Sequence, residues 1–232
     1  MITRKGKDLF TQTFKFLFRV LILARTWGLT KLILFIPYEI YYLFKFKTHT
    51  LFSINNEELD LSIEEKISST EYFPTPYYIL SKVFSLIKNE LYNSTFIDFG
   101  SGAGRVLTFV YYFKPKKIIG IEFSKQLCKI SEKNLTAFFQ KKYIDWELIQ
   151  KNAVNYHIPS NANIFFFYDP FEEIIMSKII KNIKLSLKEN KRPIWIVYIS
   201  PRAKNLFLNN GFKLIHSQFN KFNKGYIIFK YN

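Results

Sequence analysis

The residues with the clearest capacity for chemistry are Phe96-Ile97-Asp98-Phe99-Gly100-Ser101-Gly102-Ala103-Gly104-Arg105. An apolar run ends at an acid, and three glycines follow at alternate positions. Gly100 lets the backbone turn sharply, Gly102 lets a ligand approach the main chain, and Gly104 lets the next helix pack closely. Dinucleotide-binding turns share these glycines and also sit at a strand end. Asp98 argues against a dinucleotide. A carboxylate two positions before the first glycine is badly placed beside a pyrophosphate and well placed to meet an ammonium group. One strand–helix–strand unit further on, Ile118-Ile119-Gly120-Ile121-Glu122-Phe123 ends in a second acid. A carboxylate there can accept both hydroxyls of a ribose, with Phe123 against the base.

The loop D-x-G-S-G-x-G-R over Asp98–Arg105, together with Glu122, resembles motif I of the class I S-adenosylmethionine (SAM)-dependent methyltransferases. The resemblance covers roughly residues 72–232. It implies a Rossmann-like α/β fold, with a seven-stranded, mostly parallel sheet, helices on both faces and a C-terminal antiparallel hairpin. It implies SAM as cofactor, held by Asp98, Gly100, Ser101, Gly102, Gly104, Glu122 and Phe123. Asn152-Ala153 falls where the family often has an Asp-Ala-like pair that bonds the adenine amino group. Phe167-Tyr168-Asp169-Pro170-Phe171 falls where this fold faces the transferred methyl. It is similar to the Asp/Asn-Pro-Pro-aromatic motif of amino-directed methyltransferases, one proline short. Asp169 and Tyr168 are therefore expected to orient the acceptor, with Pro170 and Phe171 in the substrate pocket. Tyr72-Phe73-Pro74-Thr75-Pro76-Tyr77 precedes the helix that covers the SAM pocket in this fold. It either closes over the ligands, with Tyr77 in the substrate pocket, or staples the start of that helix.

In layout the chain is similar to seven-strand protein-lysine methyltransferases of the ATP synthase c-subunit lysine methyltransferase type. The expected reaction is methyl transfer to an amine on a protein lysine or a small molecule. No general base is evident, so a non-catalytic, membrane-associated module binding SAM or another adenosine ligand is the alternative. An NAD-dependent enzyme is disfavoured by Asp98 and by the terminal hairpin.

These residues need strands and helices in alternation to position them. The patterns predict helices over Thr75–Leu91, Arg105–Tyr112, Ser124–Phe139, Glu172–Asn182 and Pro201–Asn209. They predict strands over Thr95–Phe99, Lys117–Glu122, Asp145–Ile149, Asn163–Tyr168, Pro193–Ile199, Phe212–Phe219 and Gly225–Tyr231. The last two, joined by a short polar turn, should pair antiparallel.

The chain carries a net charge of +16, with 26 Phe and 15 Tyr. Its lysines are scattered without a nucleic-acid motif, so nucleic acid is not the favoured partner. The single cysteine, Cys128, excludes a disulfide framework within one chain, and the histidines lack metal-ligand spacing. No metal is expected, and a reducing, cytoplasmic setting is. Residues 1–50 differ from the rest. Phe14–Phe46 is apolar and aromatic, but Lys15, Arg19, Arg25, Lys31 and Glu39 interrupt it. No run reaches the ~20 apolar residues of a membrane span, and no signal-peptide cleavage site follows. One or two amphipathic helices, broken near Pro37, are expected. Basic residues beside Trp27, Phe35, Tyr38, Tyr41 and Tyr42 suit the headgroup region of an anionic membrane surface. The competing expectation is a helical cap packed on the main domain. Residues 51–71, rich in Glu and Asp, read as an acidic linker to a catalytic domain at 72–232.

Overall fold

A computed structural model of the chain describes residues 20–21, 24–25, 28–50, 52, 54, 59, 72–221 and 223–232. Short runs of Ile, Phe and Val form its centre. Strands β1 (Thr95–Phe99), β2 (Lys117–Glu122), β4 (Ile164–Tyr168) and β5 (Ile194–Ile199) are buried almost throughout. Burial on both faces is the signature of a parallel sheet covered by helices. With β3 (Asp145–Gln150), β6 (Lys213–Phe219) and β7 (Gly225–Tyr231), the sheet has seven strands in the order β3-β2-β1-β4-β5-β7-β6. Only β7 runs against its neighbours, inserted between β5 and β6 as the expected terminal hairpin.

Seven α-helices are described from end to end: α1 (Leu32–Phe46), α2 (Tyr77–Leu86), α3 (Lys88–Leu91), α4 (Arg105–Val110), α5 (Lys125–Phe139), α6 (Glu173–Glu189) and α7 (Lys204–Asn209). Successive strand residues point to opposite faces. Phe96 and Phe166 therefore join one core with Phe84 and Phe109, under α1, α2, α4 and α5. Phe99, Phe165 and Phe167 join the other with Phe207, under α6 and α7. Strand β1 pairs with β2 on one side and β4 on the other. The chain order reverses there, so the carboxyl ends of β1 and β4 open onto a crevice.

Several elements depart from the sequence pattern for identifiable reasons. Helix α2 begins at Tyr77, because its first free N–H is satisfied from far away: Tyr77 N donates to Glu39 Oε1 at 2.9 Å. Helix α6 continues past Asn182 to Glu189, keeping Met176, Ile179, Ile180, Ile183 and Leu187 on its buried face. Asn182 does not end it; its amide donates to Val154 O at 2.8 Å and tethers a neighbouring turn. Pro37 lies inside α1 and does not break it. Its ring faces water, where the carbonyl of Ile33 that loses its helical donor can be hydrated.

Helix α1 also corrects the expectation for its aromatics. Phe35 and Phe46 are buried in the core, and Tyr38 and Tyr42 pack against it. The Tyr42 ring lies 4.8 Å from Tyr77, and Phe46 5.3 Å from Phe138. Of the aromatics expected at a headgroup region, Tyr41 remains exposed, and Trp27 lies outside the described residues. So does most of the sequence before residue 28, and the acidic stretch apart from Phe52, Ile54 and Leu59, which pack with Leu127. No described helix is long and apolar enough to cross a membrane.

Candidate active site

The turn after β1 is built around two buried acids. Gly100, Gly102 and Gly104 all have positive φ (79°, 53° and 82°). Gly100 N and Ser101 N both donate to Ile121 O, at 2.9 and 3.0 Å, which ties the turn to the end of β2. Glu122 Oε2 accepts from Gly102 N at 2.9 Å, and Oε1 accepts from Phe123 N and Ser124 N at 3.0 and 2.9 Å. Burial raises the Glu122 pKa, and the three backbone donors work against that rise. A carboxylate has about four lone-pair sites, so capacity remains for one hydroxyl donor. At Gly104, an added Cβ would meet Ser131 Oγ at 2.7 Å. The missing side chain is what lets α4 lie against α5.

Asp98 is the other acid. Burial first, and then the charge of Glu122, hold its pKa well above the ordinary carboxylate range. Its Oδ2, like Ser101 Oγ, is buried without a hydrogen-bond partner among the described residues. Buried polar groups normally find partners. A cationic ammonium would supply donors to Asp98 and the positive charge that ionises it. The residues present fit the methionine end of SAM.

A cavity of about 70 Å³ joins this cradle to the acceptor side. Asp98, Gly100, Ser101, Glu122 and Phe123 line it together with Tyr168, Pro170 and Phe171. An added Cβ on Gly100 would come within 3.0 Å of Pro170 Cβ, so the two chain turns are in contact. The Tyr72 ring covers Gly102, 2.2 Å from where a Cβ would stand. Gly102→Ala is therefore expected to force Tyr72 aside and weaken SAM binding by about tenfold or more, with about 1–3 kcal/mol of backbone strain. Titration calorimetry with SAM checks this, and unchanged affinity would show that the ligand does not use the turn.

Three expected site residues lie elsewhere. Asn152 turns its Oδ1 to Val154 N at 3.1 Å and caps a short turn. Ala153 is buried in the core. Tyr77 is not in the cavity wall; its ring lies 4.1 Å beneath the Arg105 guanidinium. Asp169 does not line the cavity but stands beside it with φ of 40°. Its Oδ1 accepts from Arg202 Nε at 2.6 Å, and Arg202 Nη1 also reaches Glu172 Oε1 at 3.1 Å. Burial raises the Asp169 pKa, against the hydrogen bond and charge of Arg202.

Arg105, the last residue of the loop, supports the whole arrangement. It is buried and bonds Glu39 Oε2 at 2.7 Å, Thr75 O at 3.2 Å, Thr50 O at 2.9 Å and Thr50 Oγ1 at 3.2 Å. Neither Glu39 nor Arg202 could be found from sequence, since each partner lies dozens of residues away. The only local signal was the one acid in a mostly apolar helix, at Glu39.

The family model for the histone methylation protein DOT1 matches residues 52–191, more than half of the chain. The chain belongs to the DOT1 family. This DOT1-family chain is a class I SAM-dependent methyltransferase, and SAM is its cofactor. No curated protein matches it. Among solved structures, an Escherichia coli chain designated a methyltransferase shares 16% identity, with TM-score 0.51 over 66% of this chain and 85% of its own. A Pyrococcus horikoshii chain designated an RNA methyltransferase shares 16%, with TM-score 0.50 over 68% and 85%. Magnesium protoporphyrin IX methyltransferase from Synechocystis, solved with S-adenosylhomocysteine, shares 10%, with TM-score 0.50 over 66% and 80%. At these identities the likeness is one of fold. Bound SAM supplies a methyl already activated on its sulfonium, so the protein's part is to position the acceptor and exclude water.

Proposed function

We propose that this chain methylates an amine, on a protein lysine or a small molecule, at the cytosolic face of a membrane. The observation that carries the amine is the turn Tyr168–Phe171. It leaves β4 at the crevice, packs Pro170 against the cofactor loop, and brings the Asp169 carboxylate to the edge of the cleft, where Arg202 orients it. An amine must lose its proton before it attacks a sulfonium methyl. A carboxylate oriented by an arginine can take up that proton. The family's description, histone methylation, supports a protein acceptor. The membrane location is supported by the outward side of α1, where Ile33, Leu34, Ile40, Tyr41 and Phe44 are exposed.

The test is transfer of labelled methyl from SAM by the full chain to lysine-rich protein, small amines, RNA and DNA in parallel, with hydrolysis to identify the methylated group. Methyl-lysine or a methylated small amine is expected. Asp169→Asn should lower kcat by about 10²–10⁴-fold while SAM affinity changes little. Label found only on nucleic acid would overturn the amine assignment.

A further inference from the structure

Away from the cofactor crevice, a second cavity of about 310 Å³ opens between the start of α1, helix α2 and the β6–β7 hairpin. Its charged lining is Lys31, Lys82 and Lys224, and no acid among the described residues lines it. None of these three lysines forms an ion pair among the described residues. Phe35, Tyr78 and Tyr226 give it apolar walls, and Lys82 Nζ stands 5.7 Å from the Tyr78 ring. Ammonium groups gathered at one cavity repel one another and create a field that draws anions.

The surface beside this cavity is unusual for a water-facing helix. Lys31 leads directly into α1, whose outward residues Ile33, Leu34, Ile40, Tyr41 and Phe44 are exposed, Ile33 to 78% and Phe44 to 73%. A surface helix normally turns charged residues outward, and a contiguous apolar strip marks a contact with something apolar. A free phosphate would leave that strip and the aromatic walls without use. A ligand that carries phosphate on an apolar body uses both.

We propose that this cavity seats the phosphate of an anionic phospholipid while the outward face of α1 lies in the headgroup region of the leaflet. Lys31, Lys82 and Lys224 donate to the phosphate, and the apolar strip enters the acyl boundary. The site deepens the membrane part of the functional reading and does not rest on the acceptor's identity.

The experiment is co-sedimentation of the full chain with vesicles of phosphatidylcholine alone or with one third phosphatidylglycerol, beside thermal shift with inorganic phosphate and glycerol 3-phosphate. The variants are Lys31→Glu/Lys82→Glu, Ile33→Asp/Phe44→Asp, and a charge-matched control, Lys178→Glu/Lys181→Glu, on exposed positions of α6. Wild type should pellet with the anionic vesicles only. The first two variants should lose about tenfold or more of that binding, while the control keeps most of it. Equal loss in both lysine pairs would reduce the effect to net charge and overturn the site. Absence of vesicle binding by wild type would overturn it as well, and if glycerol 3-phosphate or phosphate still protected in a Lys31/Lys82-dependent way, the ligand would be a soluble phosphate. Vesicle binding by a chain that methylates no amine would sink the acceptor reading and leave this one standing.

Discussion

Replacing Glu39 with alanine is expected to destabilise the protein by about 3–5 kcal/mol. Arg105 would keep its bonds to Thr50 and Thr75 but lose the one carboxylate it pairs with among the described residues, at 2.7 Å, in a site where both side chains are almost fully buried. Burial works against the Arg105 charge, and Glu39, with smaller contributions from Tyr77 and Tyr72, offsets it and holds the pKa above its ordinary value. The same substitution strips Tyr77 N of its acceptor, so α2 loses its start as well. Urea denaturation checks the result through the midpoint at constant slope. The double variant Glu39→Leu/Arg105→Met should lose less stability than Glu39→Ala alone, because it leaves no uncompensated charge inside. A Glu39→Ala midpoint within about 0.5 kcal/mol of wild type would mean that α1 is not anchored by this pair.

Asp98→Asn should act in the opposite sense on stability and strongly on binding. Asp98 is buried, with its pKa raised by burial and by Glu122. A group raised in the folded state contributes stability that is present below its unfolded pKa and lost as pH rises through the folded value. The ligand-free wild type should therefore weaken as pH climbs from the ordinary carboxylate range to the raised value, and Asp98→Asn should not. SAM binding runs the other way. The ammonium is best met by the ionised carboxylate, so affinity should strengthen over the same interval and release a proton. Near neutral pH the variant should lose about 2–5 kcal/mol of binding, tens- to thousands-fold in Kd, while melting no earlier than wild type without ligand. Glu122 is raised too, so the difference between wild type and variant isolates Asp98. Calorimetry across pH in buffers of different protonation enthalpy measures both effects. Identical pH slopes for the two proteins would remove Asp98 from the cofactor site.

The strands were legible because apolar runs of five to seven residues bounded by turn residues have few other structures open to them. β1 and β2 fall where the pattern puts them, Thr95–Phe99 and Lys117–Glu122. Helix ends were less legible. Asn182 has the chemistry of a stop, but its amide is taken up by Val154 O, so nothing opposes the continued burial of Ile183 and Leu187. Tyr77 has the chemistry of a pocket wall, yet it stacks under Arg105.

By itself the sequence determined the seven-strand fold with its terminal hairpin and the family-type loop. Glycines at alternate positions after an acid admit few backbones, and alternating strand and helix patterns admit few topologies. Only the tertiary structure decided that α1 turns Phe35, Glu39 and Phe46 inward, that Glu39 holds Arg105, and that Arg202 holds Asp169. It also gathered Lys31, Lys82 and Lys224 around one cavity. Each of these pairings joins positions far apart along the chain. A long-range contact leaves no local periodicity, and it forms only when the sheet has closed the distance between its partners.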